Sequence, residues 1–391
     1  MRGIVKWLVR IVLALILAAV VLGLWKREEI TRLLAVNTLF DADRIVHNFS
    51  HMDAAFLTTP VPRGDGPTAE LPYGEGIELP PEVADWVAAR TVTALVVLKD
   101  GAVVFEDYFQ GTSSTDRRIG FSVSKSYLSA LIGILLDEGQ IGSLDDPVVQ
   151  YAPSLKGRAY DRATIRDVLE MESGVKFNED YLDYDSDINR MGRVLALGRR
   201  MDAFAADLTE TVSPPGEAFR YVSIDTHVLG MVVRGATGRP VPELLSEKII
   251  QPMGLEYPPY YLTDGVGTAF VLGGLNLTTR DYARFGQMFL QDGLFNGRQI
   301  VPADWVAAST TPSARTEPGA FRYGLHWWIP KDGDGDETLA RGIYGQYIYL
   351  DKTRRVVVAS NAADRGFREP GVSDSDIAAF RALARAASEG R

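Results

Sequence analysis

No cysteine occurs anywhere in the 391 residues. That excludes a disulfide framework, a thiol nucleophile and a thiolate-bound zinc. Histidine is scarce: His47, His51, His227 and His326 are the four, and none has the HExxH-like spacing of a metal site. Positive charge is also short. Lys and Arg total 41 against 51 Asp and Glu, a formal charge of −10. Phosphate binding wants a basic surface, so nucleic acid is not the expected partner. There is no G-x-S-x-G elbow, which argues against an α/β-hydrolase. No P-loop or dinucleotide fingerprint lies between a strand and a helix.

What remains is a chain of ordinary globular make-up, with 46% hydrophobic and 24% charged residues. This rules out disorder, collagen and coiled coil, and the length allows one large domain or two coupled lobes. The charge is unevenly spread. Residues 1–27 carry Arg2, Lys6, Arg10, Lys26 and Arg27 with no acid, a local +5 that leaves −15 on residues 28–391. Between Arg10 and Lys26 runs an apolar stretch, Ile11–Trp25. With Trp7–Val9 it approaches the roughly 20 residues that span a bilayer, and Arg10 could snorkel to the head groups. The expectation is an uncleaved signal anchor over residues 1–27, Met1 inside and the body exported. A cleaved signal peptide is the rival, but no small-x-small site follows Ala18-Ala19.

Pro and Gly crowd residues 60–81, so 28–84 reads as a linker or lead-in. Val92–Lys99 and Val103–Phe109 are β-rich around Asp100-Gly101, a hairpin signal. Ser124–Glu138 reads as a buried helix. Residues 140–300 mix helical patterns with turns. Tyr344–Leu350 and Arg354–Ser360 form a second strand pair, and Ser373 is a candidate cap for a last helix, Asp376–Ser388. The expected fold class is α+β: an antiparallel sheet built from both chain ends (about 85–112 and 300–391) around a mostly helical lobe (about 113–299).

Ser122-x-x-Lys125 opens the buried helix. Residues i and i+3 share one helical face, so an amine stands beside a hydroxyl. Burial lowers a Lys pKa, and a neutral amine can take the Ser proton. The Ser122 amide at the helix N-terminus favours an oxyanion. Tyr221 follows a Pro214–Glu217 turn and precedes a helix, a placement that can aim its phenol into a cleft. Near a Lys cation its pKa would fall. Ala340-Arg341-Gly342-Ile343 is expected to open the strand Tyr344–Leu350. Gly342 would let substrate approach the backbone, and the Ile343 amide would be a second oxyanion donor.

S-x-x-K, Y-x-[NS] and a Gly-containing strand triad, in that order, resemble the serine β-lactamase and penicillin-binding-protein superfamily. The strings FSVSKS (121–126), LLDEGQI (135–141), NEDYLD (178–183), GGLNLTTRDYARFGQMFL (273–290), YGLHWW (323–328) and GIYGQYIYLD (342–351) are similar to 6-aminohexanoate-dimer hydrolases of its class C-like branch. The resemblance covers about 85–380 and implies a β-lactamase-like fold. It implies Ser122 as nucleophile, Lys125 as its partner, Tyr221 as general acid/base, and oxyanion amides on Ser122 and Ile343. It places Tyr181 against the substrate and calls for no metal or organic cofactor. The substrate would be a small ester, amide or peptide-like molecule, and the body would face the periplasm from a single-pass bacterial inner-membrane anchor.

Departures from the pattern shape the reading. The superfamily's Lys or His in the strand triad is Ala340 here, which counts against β-lactam or D-Ala-D-Ala recognition. Arg341 is a candidate carboxylate clamp in its stead. Ser223 stands where many relatives have Asn, and can donate one hydrogen bond to a substrate carbonyl. The alternatives are a peptidoglycan D,D-peptidase or β-lactamase, and a non-catalytic sensor that keeps the fold. Asp183, Asp185 and Asp187 could attract a cationic amine, although a solvated loop explains them as well. Asp332–Asp336 imitates a calcium loop but lacks its Gly and Glu, and reads as an acidic turn.

Overall fold

In the computed structural model, which describes residues 2–333 and 335–390, the expected hairpin joins Val92–Lys99 to Ala102–Tyr108. Asp100 and Gly101 both have positive φ, 52° and 83°, as a tight hairpin of matching twist requires. Val92–Lys99 also pairs with Val356–Ala362 from the far end of the chain, Val97 opposite Val358. The sheet then continues antiparallel through Gln346–Asp351, Glu337–Gly342, Trp328–Ile329 and Arg322–Tyr323.

Both faces of this sheet are covered, which explains why its central strands are apolar without alternation. Leu95, Val97, Leu339 and Tyr349 pack with Trp86 and Phe380, on the helices Pro81–Ala89 and Val372–Glu389. Val96, Leu98, Ala340, Ile348 and Val357 face the main core. The helix Thr279–Leu290 lies there against the sheet, and Gly286 lets it come close: a Cβ would stand 2.6 Å from Val357 and 2.7 Å from Ile348. The helix Val123–Asp137 is buried from Val123 to Leu135, as its lack of a polar face predicts.

Some expectations need correction. The last helix starts at Val372 with Gly371 as its cap, so Ser373 lies inside its first turn. Ala340-Arg341-Gly342 ends the strand Glu337–Gly342, and the next strand starts at Gln346; Tyr344, at φ 60°, and Gly345 belong to the turn between them. The lead-in is not a linker throughout. Leu39, Ile45, Phe49, Met52, Phe56 and Val61 are buried in the main core. Leu57–Pro60 pairs with Tyr260–Thr263 in a second, four-stranded sheet. Of the acidic turn, Asp334 lies outside the described residues; Asp332 pairs with Arg381 at 2.8 Å.

The N-terminal helix Arg2–Trp25 is long and apolar enough to cross a membrane, and its side chains are largely exposed. A second helix, Arg27–Asn37, follows it almost directly.

Candidate active site

The site is built where a tight turn meets the end of a strand. Phe121 holds φ 44°, a left-handed conformation unusual for a bulky residue. Gly120 before it has no room for a side chain, since a Cβ would lie 2.5 Å from the Tyr282 hydroxyl. This turn puts Ser122 at the head of the helix Val123–Asp137. Gly342 closes on the same turn: a Cβ there would lie 2.4 Å from the Gly120 carbonyl and 3.2 Å from the Ser122 nitrogen. The strand end and the helix head are thereby held together, with the Ser122 and Ile343 amides in the same neighbourhood. Among the described residues, neither amide donates to an acceptor.

Lys125 lies one turn on, and its side chain runs back toward the helix N-terminus, as helical side chains do. Its Nζ is 2.8 Å from Ser122 Oγ and 2.7 Å from the Leu272 carbonyl. The residue is only 2% exposed. Burial lowers its pKa to about 7, while the charges of Glu179 and Asp225 oppose the shift. A neutral amine has two N–H groups and one lone pair. One N–H satisfies Leu272, and the lone pair is then available to the Ser122 proton.

Tyr221 stands just before the helix Ser223–Thr237. It is half-buried against Trp328, with ring centroids 5.3 Å apart, and edge-on to Tyr323 at 6.4 Å. Lys125 Nζ sits 5.4 Å from its ring centre. Burial, and after it the charge of Glu179, raise the phenol's pKa well above the ordinary value, against a smaller opposing influence of the nearby Ser122 hydroxyl. The expectation of a depressed Tyr pKa beside a Lys cation is therefore reversed: Lys125 loses its charge more easily than Tyr221 gains one. Tyr221 is a phenol at neutral pH, fit to donate a proton.

Glu179 is the residue that sequence reasoning missed. Its carboxylate accepts from the Ser223 amide at 3.0 Å, from the Ser223 hydroxyl, and from the Tyr181 hydroxyl at 2.9 Å. Tyr181 is thus brought beside Ser223 and Tyr221, and the charge of Glu179 bears on both Lys125 and Tyr221. The Ser223 hydroxyl, expected to serve a substrate carbonyl, is instead engaged by this carboxylate. The only signal was the NEDYLD string, and nothing in it separates Glu179 from its two other acids, Asp180 and Asp183.

Arg341 bears on the site only through its charge, which favours ionisation of Tyr221 against the larger effect of burial. It alternates with Ala340 and Gly342 along its strand, so it points to the opposite face of the sheet. There it donates to Ser373 Oγ at 2.6 Å and lies over Phe321 and Tyr347. The carboxylate-clamp expectation fails on strand parity. The acids near Tyr181 are largely occupied within their own loop: Asp183 accepts from Asn178 Nδ2 and the Asp185 amide, and Asp187 from the Asn178 amide and Arg190. Trp327 is fully buried in the core, whereas its neighbour Trp328 walls Tyr221.

Deeper in, Asp225 accepts from Tyr160 at 2.6 Å and Ser173 at 2.9 Å. Burial raises its pKa to about 8. His326 lies 3.1 Å from Thr226 Oγ1 through Nε2, and burial lowers its pKa to about 3. Neither was singled out from the sequence, because each acquires its setting from distant segments.

Comparison with known proteins places the chain in a family. The Beta-lactamase family profile matches residues 83–381. A 6-aminohexanoate-dimer hydrolase of Paenarthrobacter ureafaciens is 32% identical over 325 residues, 79% of this chain and 80% of that one. A D-aminopeptidase of Brucella anthropi is 30% identical over 172 residues, 42% of this chain and 31% of its own. Among solved structures, a Bacillus anthracis protein named after the 6-aminohexanoate-dimer hydrolases superposes with TM-score 0.78 at 24% identity, covering 89% of this chain and 95% of that one. A D-stereospecific amidohydrolase from Streptomyces superposes with TM-score 0.59 at 20% identity, covering 76% and 97%. With its profile match over most of the length and its hydrolase relatives, the chain belongs to the Beta-lactamase family and is a serine hydrolase.

Proposed function

We propose that the protein cleaves an ester or amide through an acyl-enzyme on Ser122. The observation that carries this reading is the 2.8 Å approach of a buried Lys125 amine to Ser122 Oγ. In this reading the neutral amine takes the Ser122 proton as the oxygen attacks the substrate carbonyl. The tetrahedral oxyanion lies on the Ser122 and Ile343 amides, where fixed N–H donors stabilise it without reorganising. The Tyr221 phenol donates its proton to the leaving group, and the proton held by Lys125 restores the phenol. Water then attacks the acyl carbonyl with the same groups acting in reverse.

Ala340 weighs on the substrate. It is buried on the face of the sheet turned toward the main core and offers a methyl where the superfamily pattern has a cation. Nothing at that position can hold a substrate carboxylate, which favours linear esters and amides over β-lactams and D,D-peptides. The P. ureafaciens relative, a 6-aminohexanoate-dimer hydrolase, points the same way. The exposed apolar helix before Lys26 serves, in this reading, as a single-pass anchor with the hydrolase body on the outer side.

A fluorophosphonate probe tests the mechanism. Wild type should label rapidly and Ser122→Ala should not, with hydrolysis of short esters lost in parallel. Equal labelling of Ser122→Ala would end the proposal. Rapid, stable acylation by a fluorescent penicillin would replace it with a penicillin-binding role.

A further inference from the structure

The segment between the N-terminal helices and the hydrolase body ends beside the nucleophile. Phe40, three residues after the helix Arg27–Asn37, stacks on Tyr344 with centroids 5.0 Å apart and planes within 11°. Tyr344 directly follows Ile343, one of the two amides assigned to the oxyanion. It also touches Phe121, the residue before Ser122, at 5.8 Å, and Phe367 at 4.7 Å. Phe367 in turn meets Tyr181 edge-on at 6.4 Å. Phe49 underlies the group from the same N-terminal segment, 5.2 Å from Phe121 and 5.4 Å from Tyr344.

These rings differ in burial in a telling way. Phe49 is fully buried, and fixes the others as core packing does. Tyr344, Phe367 and Tyr181 are only partly covered, and Phe40 is 39% exposed. A run of partly exposed rings leading to a nucleophile offers apolar contact area to a ligand, with few rotatable bonds to freeze. The far end of this run, Tyr181, stands beside Tyr221, whereas the near end does not: the rings packed on Tyr221 are Tyr323 and Trp328, and Phe40 and Tyr344 are not among them. The leaving group departs toward the Tyr221 proton. The Phe40–Tyr344 side is therefore left for the group that stays on Ser122.

We infer that Phe40 forms the outer wall of an apolar acyl subsite, and that the substrates carry an extended aliphatic or aromatic acyl group. This deepens the proposed acyl-enzyme and rests on it. The subsite is partly supplied by a segment outside the matched residues 83–381.

The test is an acyl-chain series. Full-length protein in phosphatidylcholine nanodiscs is given 4-nitrophenyl acetate and 4-nitrophenyl octanoate, and kcat/KM is compared between wild type, Phe40→Ala and Phe40→Leu. Wild type should prefer the octanoate. Phe40→Ala should reduce the octanoate-to-acetate ratio about tenfold, the scale expected from losing one wall of an apolar pocket. Phe40→Leu should restore most of that ratio, since a leucine rebuilds the wall. Partition of octanoate into lipid is common to all three and cancels. An unchanged ratio in Phe40→Ala, with both esters still hydrolysed, overturns the subsite. A ratio that changes instead with the length of the alcohol portion also overturns it. If wild type hydrolyses neither ester and resists the fluorophosphonate, it is the acyl-enzyme itself that has failed.

Discussion

At the scale of single residues, Lys125 stands out, because the fold is less stable for holding it. The side chain is 2% exposed, and burial brings its pKa down to about 7 from an ordinary 10.5. The unfolded chain keeps that ammonium protonated up to its ordinary pKa. Between about pH 7 and 10.5 the unfolded state therefore binds more protons, and stability rises with pH across that window. Below pH 7 the group is charged in both states, and the penalty is present in full. Each pKa unit is worth about 1.4 kcal/mol, so Lys125→Met should be more stable than wild type at pH 7 by a few kcal/mol at most. Ser122 Oγ and the Leu272 carbonyl lose their partner in that variant, which offsets part of the gain. Urea unfolding at pH 7 and pH 9.5 checks this: the advantage should shrink at the higher pH, and a variant that is less stable at pH 7 would contradict it. The same variant should lose esterase activity. Activity of the wild type should rise through pH 7 as the amine is freed, since a general base must be deprotonated to act. A flat pH profile between 6 and 8 would count against Lys125 as the base.

At the scale of elements, the decisive contact is between a strand end and a helix head. Gly342 lies so near the Gly120 carbonyl that a Cβ would stand 2.4 Å from it. Gly342→Ala must push the strand end away and separate the Ile343 amide from the Ser122 amide. Because the rest of the strand Glu337–Gly342 remains paired with Gln346–Asp351, the fold should survive with a melting temperature little changed. The labelling rate by fluorophosphonate should fall by about 10²–10³-fold, the effect of losing one oxyanion donor. Full-rate labelling would show that the two amides do not act together. Much of this region was legible beforehand. The Ser122–Lys125 spacing, the apolar helix behind it and Tyr221 ahead of the helix Ser223–Thr237 are local patterns with a period of their own. Strand parity was legible in principle too, but the strand Glu337–Gly342 was missed and the next one was begun two residues early, at Tyr344 instead of Gln346. That error set Ala340–Ile343 at the start of one strand instead of the end of another, and it left Arg341 free to be imagined in the cleft. Glu179 was out of reach for a different reason. Its importance comes from Ser223, 44 residues away along the chain, and no local pattern encodes that pairing.

At the scale of the whole molecule, the lead-in is where composition misled. Pro and Gly in residues 60–81 spoke for an extended tether, and the apolar residues just upstream are too irregularly spaced to announce a core. Yet Leu39, Ile45, Phe49, Met52 and Phe56 are buried in the same core as the helix Val123–Asp137, and the strand Leu57–Pro60 pairs along its length with Tyr260–Thr263. The buried Arg118 depends on this segment as well, donating to the Val46 carbonyl at 2.6 Å and to Ser50 Oγ at 2.7 Å. A truncation series separates tether from core. A chain starting at residue 38 loses the apolar helix and its successor but keeps every one of these contacts, and should melt within a few degrees of the full-length protein. A chain starting at residue 62 exposes the partners of five large apolar side chains, each worth about 1.5–3 kcal/mol when fully buried, and leaves a guanidinium buried without its acceptors. That sum is comparable to the roughly 5–15 kcal/mol that holds an entire domain together, so this chain should fail to fold. Circular dichroism melting of the two truncations decides the matter. If the shorter chain melts cooperatively near the wild-type temperature, residues 38–61 are a tether after all, and Phe40 cannot be a fixed wall beside Ser122.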